Sequence, residues 1–171
     1  MTRLADIIDR LNTTLGRMAA WLVLAVVGAQ FVLVVARYIF GFGSIWLTEA
    51  VIYGHATVFL LASAWTLREG GHVRVDIFYA DATPRTRAKI DLAGALLLLL
   101  PFMLMLLWLA VPHAARSWAV FERSQESSGL PLVFVLKTLI PLFAALMALQ
   151  GVAQAIRAAH ALTRTNTESA Q

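Results

Sequence analysis

The chain has 171 residues, of which 60% are hydrophobic and 14% charged, and its mean hydropathy is +0.74. A soluble domain carries about 25% charged residues, and a chain this apolar cannot hide its surface inside a water-soluble ball of this size, so it reads as an integral membrane protein. The net charge of +4 fits arginines beside anionic lipid headgroups better than a nucleic-acid surface, and the absence of cysteine excludes disulfides, zinc–thiolate sites and thiol chemistry.

Residues 1–17 read as an amphipathic helix lying in the membrane interface. Leu4, Ile7, Ile8, Leu11, Leu15 and Met18 follow helical spacing, while Arg3, Asp6, Asp9, Arg10 and Arg17 fall mostly on other faces. The apolar run that follows is as long as a membrane span, and no A-x-A site closes it, which argues against a signal peptide. The first span covers 18–40. About 20 residues cross the roughly 30 Å hydrocarbon core, and between Ala19 and Ala36 the only strongly polar side chain is Gln30. Trp21 and Tyr38 sit near its ends, as an aromatic belt places them. The turn Gly41-Phe42-Gly43-Ser44 is short, so the second span, 45–67, folds back as an antiparallel hairpin. It contains Glu49, Tyr53 and His55.

A polar connection, 68–89, follows. Within it Val73, Val75 and Ile77 alternate with polar residues, and Thr83-Pro84 is a helix-start signal. The third span is 90–114, the next polar loop 116–129, the fourth span 130–156 and the polar tail 157–171. The expected fold class is therefore all-α: an N-terminal amphipathic helix and four transmembrane helices in two antiparallel hairpins. Ten basic residues lie in the leader, the middle connection and the tail, against Arg37, Arg116 and Arg123 on the other side. That bias puts both termini in the cytoplasm and the 116–129 loop in the periplasm. Arg85, Arg87 and Lys89 begin the third helix, the unfavourable end of its dipole for cations, so membrane lipid headgroups are expected beside them.

Ionisable groups inside spans are costly and normally face protein or water. Arg37 and Glu49 flank the first turn at similar depth, which predicts an outer ion pair. Lys137 has three options: to reach Glu49, to snorkel outward, or to meet a partner subunit. His55 and His113 differ in depth, which argues against a pair of haem ligands. Gln30 reads as helix-packing glue. Pro101 and Pro141 fall within spans, where neighbours can satisfy the freed carbonyls. No nucleotide, hydrolase or metalloprotease motif is present. The expectation is no enzyme, no cofactor and no nucleic-acid partner.

Several short motifs carry a resemblance. They are Arg37-Tyr38-Ile39-Phe40, Trp46-Leu47-Thr48-Glu49, His72-Val73-Arg74-Val75-Asp76, and Ser127-Ser128-Gly129-Leu130-Pro131, then Lys137 and Ile140-Pro141. In this order, in a four-span frame, the chain resembles the small, DctQ-like membrane subunit of tripartite ATP-independent periplasmic (TRAP) transporters. The resemblance implies an accessory subunit in the bacterial inner membrane, not a complete machine. A periplasmic binding protein would capture an organic anion, and a large multi-span subunit would carry it inward with sodium bound there. This chain would anchor the large subunit. The resemblance also implies a structural clasp of His72, Arg74 and Asp76 at the cytoplasmic surface. It makes Arg116, Glu122, Arg123 and Glu126 a docking surface for the binding protein. The wording from His72 to Tyr79 looks like the branch associated with 2-oxo acids and related carboxylates. The alternative is a self-sufficient small homo-oligomeric channel or exporter, which requires a continuous polar stripe along one span.

Overall fold

The computed structural model describes residues 2–72, 79 and 81–168. Among the described residues there are five α-helices: α1 (Thr2–Phe40), α2 (Ile45–Arg68), α3 (Pro84–Ala93), α4 (Leu100–Ala119) and α5 (Val133–Glu168). A π-helical segment, Gly94–Leu99, joins α3 to α4 in one column. Four helical columns are long and apolar enough to cross a membrane: Arg3–Phe40, Ile45–Arg68, Pro84–Ala119 and Val133–Thr163. Among the described residues there is no strand.

Local chemistry sets the ends of these helices. Ser44 caps α2 by accepting from Leu47 N at 3.2 Å. Thr83 caps α3 by accepting from Thr86 N at 3.2 Å, with Pro84 in the first turn. At the end of α2, Gly70 has φ 70°, Gly71 N donates to Thr66 O at 2.9 Å, and Gly70 N donates to Leu67 O at 3.2 Å. This is a Schellman cap, and its left-handed position favours glycine. The end of α4 uses the same bonds, Glu122 N to Ser117 O and Phe121 N to Trp118 O, but Phe121 occupies the left-handed position at φ 44°. Its ring stands edge-on to Phe134, 5.7 Å away, within a cluster that includes Trp118. The π-helical turns fall immediately before Pro101, which has no N–H and crowds the carbonyl four residues back.

Residues 1–17 were expected as a separate interfacial element, yet α1 runs from Thr2 to Phe40 without a break. Nothing in Leu15-Gly16-Arg17-Met18 stops a helix: there is no proline, and a lone glycine is tolerated. The packing face is also not the large apolar stripe. Leu4, Ile7, Leu11 and Met18 are exposed, while Ala5, Ile8, Asp9, Asn12 and Ala19 are buried. Likewise, α5 continues past 156 as helix to Glu168. In the expected middle connection, residues 73–78 and 80 lie outside the described residues.

The fourth column is the hub. Helix α5 touches α1, α2, α3 and α4, whereas among the described residues α3 and α4 touch neither α1 nor α2. The apolar core is built around it from Ala144, Leu146, Met147 and Ala148, with Ala64 from α2 and Met103 from α4. Helices α1 and α2 approach closely at two levels. A Cβ on Gly16 would lie 2.6 Å from Trp65 Cβ, and one on Gly54 would lie 2.6 Å from Val26 Cγ2. Small residues allow such approach where lipid offers no hydrophobic drive for association.

Gly16→Ala is expected to lower stability by about 1–3 kcal/mol, the usual range for overpacking. Gly28→Ala, with nothing within 4 Å of the added atom, should be neutral or stabilising. Thermal midpoints of both variants in detergent check the contrast.

Candidate functional site

Polar side chains gather in two clusters, one at each end of the bundle. The first joins the start of α1 to the far part of α5. Arg157 donates to both oxygens of Asp9, at 2.5 and 2.6 Å. Gln150 Nε2 donates to Asp9 Oδ1 at 3.2 Å, and Asn12 Nδ2 donates to Gln150 Oε1 at 2.7 Å. The order of donors is forced. An ionised carboxylate only accepts, so Gln150 must turn its amide nitrogen to Asp9, which leaves its oxygen for Asn12. Asn12 and Gln150 are fully buried, and Asp9 nearly so. Arg68, the last residue of α2, adds a 3.5 Å contact to Asp9 and donates to Thr13 Oγ1 at 2.7 Å. Gln154 Nε2 donates to Leu67 O at 3.3 Å. The ends of α1, α2 and α5 are thus tied through one carboxylate. Beside them lies a 430 Å³ depression lined by Asp6, Arg10, Thr14 and Arg17.

The second cluster sits where α2 and α5 begin and α4 ends. Glu49 accepts from the Ser124 hydroxyl through Oε1 and from Leu130 N at 2.5 Å through Oε2. It staples the loop between α4 and α5 to α2, one turn in from the start of that helix. Gly129 is needed under this staple, since a Cβ there would lie 2.8 Å from Glu49 Oε1. Lys137, one turn into α5, donates to both oxygens of Glu122 at 2.8 and 2.6 Å. Its ammonium holds the Glu122 carboxyl below the ordinary carboxylate range. Trp118 Nε1 donates to Thr138 Oγ1 at 2.8 Å, and its ring lies 4.5 Å from that of Phe134.

The structure therefore distributes the sequence-predicted residues differently from their expected pairings. Glu49 binds the 124–130 loop and not Arg37, which is exposed and forms no ion pair among the described residues. Lys137 takes the predicted docking residue Glu122 as its partner. Arg116, Arg123 and Glu126 are exposed. His72 is exposed, and Arg74 and Asp76 lie outside the described residues. At the start of α3, Arg87 Nε donates to Tyr79 O at 3.1 Å and its guanidinium lies 5.2 Å over the Tyr79 ring, whose hydroxyl donates to Asp91. Among the described residues no three of His, Asp or Glu converge as metal ligands would.

Sequence reasoning missed Asn12 and Gln150 and assigned Asp9 to an outer polar face. The signal was present. Gln150, Gln154 and Arg157 recur at i, i+4 and i+7 along an otherwise apolar helix, and Asp9 and Asn12 are three apart, so each set shares one face.

Asp9→Ala strands two arginines and a buried amide together. It should destabilise the bundle by about 2–4 kcal/mol, more than Arg157→Ala, which leaves Arg68 beside Asp9. Denaturation in mixed micelles followed by circular dichroism checks that order. For Glu122 the folded value lies below the unfolded one, so its contribution is present above the ordinary carboxylate value of about 4.3. It is lost as pH falls through the folded value. The stability gap between the parent chain and Glu122→Gln should therefore close on acidification below about pH 4. A gap that stays constant there would refute the pairing.

A family model described as the DctQ component of tripartite ATP-independent periplasmic transporters matches residues 26–161. No curated protein and no solved structure matches the chain. The matched range includes Glu49, Ser124, Lys137, Gln150 and Arg157, while Asp9 and Asn12 precede it.

Proposed function

We propose a function from one premise: this chain belongs to the DctQ component family of tripartite ATP-independent periplasmic transporters. On this reading it is the small accessory subunit of a sodium-coupled secondary transporter that imports organic acids. A periplasmic binding protein captures the solute, and a large multi-span subunit carries it and binds the sodium. This chain is a scaffold without a cofactor of its own. It spans the bacterial inner membrane as two antiparallel hairpins, with both termini cytoplasmic, and anchors the large subunit while part of that subunit moves.

The observation that carries the reading is the family match over residues 26–161. The bundle supports it: hydrogen-bonded polar clusters lie towards the two ends, and the packed cluster between them is apolar. A self-sufficient carrier of anions needs ionisable or polar groups along its path, whereas an anchor needs rigid columns. With the termini inside, the Asp9 cluster is cytoplasmic and the Glu49 and Lys137 clusters are periplasmic. The exposed Arg116, Arg123 and Glu126 then form a docking surface for the binding protein. Glu122 lends it rigidity through Lys137, and its mixed charge suits a weak, salt-sensitive encounter. His72, Arg74 and Asp76 form a second cytoplasmic clasp. The solute is a 2-oxo acid or related carboxylate.

Co-expression with the large subunit tests the proposal. The two are expected to copurify, and proteoliposomes should accumulate the carboxylate only when both subunits, the binding protein and an inward sodium gradient are present. Full uptake by the large subunit and binding protein alone, or solute flux through this chain alone, would overturn it.

A further inference from the structure

Gln30 and His55 are both exposed side chains, and neither makes a hydrogen bond or ion pair among the described residues. Each lies ten residues from the turn end of its helix, Gln30 before Phe40 and His55 after Ile45. That distance is about 15 Å, half of the roughly 30 Å hydrocarbon core. They line one depression of 470 Å³ between α1 and α2, otherwise walled by Val26, Val27, Val51, Ile52 and Ala56. The depression faces away from the packed core. His55 and the fully buried Ala64 are nine residues apart, two and a half helical turns, so they point to opposite sides of α2.

Elsewhere in the bundle the buried amide nitrogens have partners, Asn12 Nδ2 with Gln150 Oε1 and Gln150 Nε2 with Asp9. An amide and an imidazole facing hydrocarbon without a partner cost several kcal/mol between them. Acyl chains have no hydrogen-bonding atom to offer. Gln30 presents two donors and an acceptor, and a neutral His55 presents one of each. The complementary surface is therefore a helix carrying a hydroxyl, amide or carboxyl at mid-membrane, where such groups act as interhelical glue.

We propose that this groove is the intramembrane seat of one transmembrane helix of the large subunit, held by hydrogen bonds from that helix to Gln30 and His55. The assignment rests on the accessory-subunit reading and adds which face of the small subunit is used. It separates the groove from the third column, whose exposed Leu97, Leu98 and Trp108 are apolar and face lipid. Gln30 and His55 form a matched pair at mid-depth because the two helices are joined by a four-residue turn, Gly41 to Ser44. A polar group on one incoming ridge reaches both.

The test uses the co-expressed complex in native membranes. A photo-crosslinking residue replaces Ile52 in the groove, with a second at Leu98 as the control. The Gln30→Leu/His55→Leu double variant is compared with the parent chain for recovery of the large subunit. The expected result is a crosslink from position 52 to the large subunit and none from position 98. The double variant should lose about 3- to 30-fold in recovered large subunit, the range for one or two interhelical hydrogen bonds in a membrane. Its circular dichroism and monodispersity should be unchanged, since leucine suits a lipid-facing position. A crosslink from position 52 to lipid alone or to a second copy of this chain would overturn the seat, as would full recovery with the double variant. The parent complex would then still stand, and with it the accessory-subunit reading. If the parent chain itself recovers no large subunit, both fall.

Discussion

The carboxylate of Asp9 is the constraint on which the arrangement turns. It is nearly buried, so it must be met by donors, and all but one of those donors come from α5. That demand draws the first turns of α1 against the stretch of α5 from Gln150 to Arg157 and brings the end of α2 with them through Arg68. At about 1.5 Å per residue, the 39 residues of α1 extend about 58 Å, nearly twice a hydrocarbon core. The helix is thus long enough for Asp9, near its start, to lie beyond the hydrocarbon core, where charged groups keep some access to water. The Arg157 side chain is nearly half exposed, which keeps the desolvation cost of the pair modest.

The opposite end repeats the logic with other residues. Glu49 from α2 takes a hydroxyl and a backbone N–H from the α4–α5 loop, and Lys137 of α5 reaches back to the same loop through Glu122. Between the two ends the core is alanine, leucine and methionine. Among the described residues the bundle is tied by polar groups at its rims and packed with apolar side chains in its middle, which suits the anchoring role proposed above.

Much of this was legible in the residues themselves. The four columns follow from apolar runs interrupted by charge. Thr83-Pro84 announces a helix start because its backbone chemistry is local. Glu49 and the 127–131 motif stood out singly, but their union could not be read, since pairing across 81 residues depends on how columns pack. The same reason hid Asp9, Asn12 and Gln150: each is an ordinary polar residue until α1 and α5 meet. The leader misled for a physical cause. In a membrane setting the large apolar face is free to point outward and the small and polar face packs inward, the reverse of the soluble rule. Arg37 was matched to Glu49 by depth alone, and depth does not show that a loop reaches the carboxylate first.

The clamped start of α1 is the feature that most separates this arrangement from a loose interfacial leader. The chain has no cysteine, so two can be introduced cleanly, at the exposed positions Arg10 and His160, and spin-labelled in lipid bilayers. Double electron–electron resonance should give one narrow distance distribution between them, broadened when Asp9 is replaced by alanine. A broad distribution in the parent chain, unchanged by Asp9→Ala, would mean that the first turns of α1 lie free on the membrane and would contradict the account.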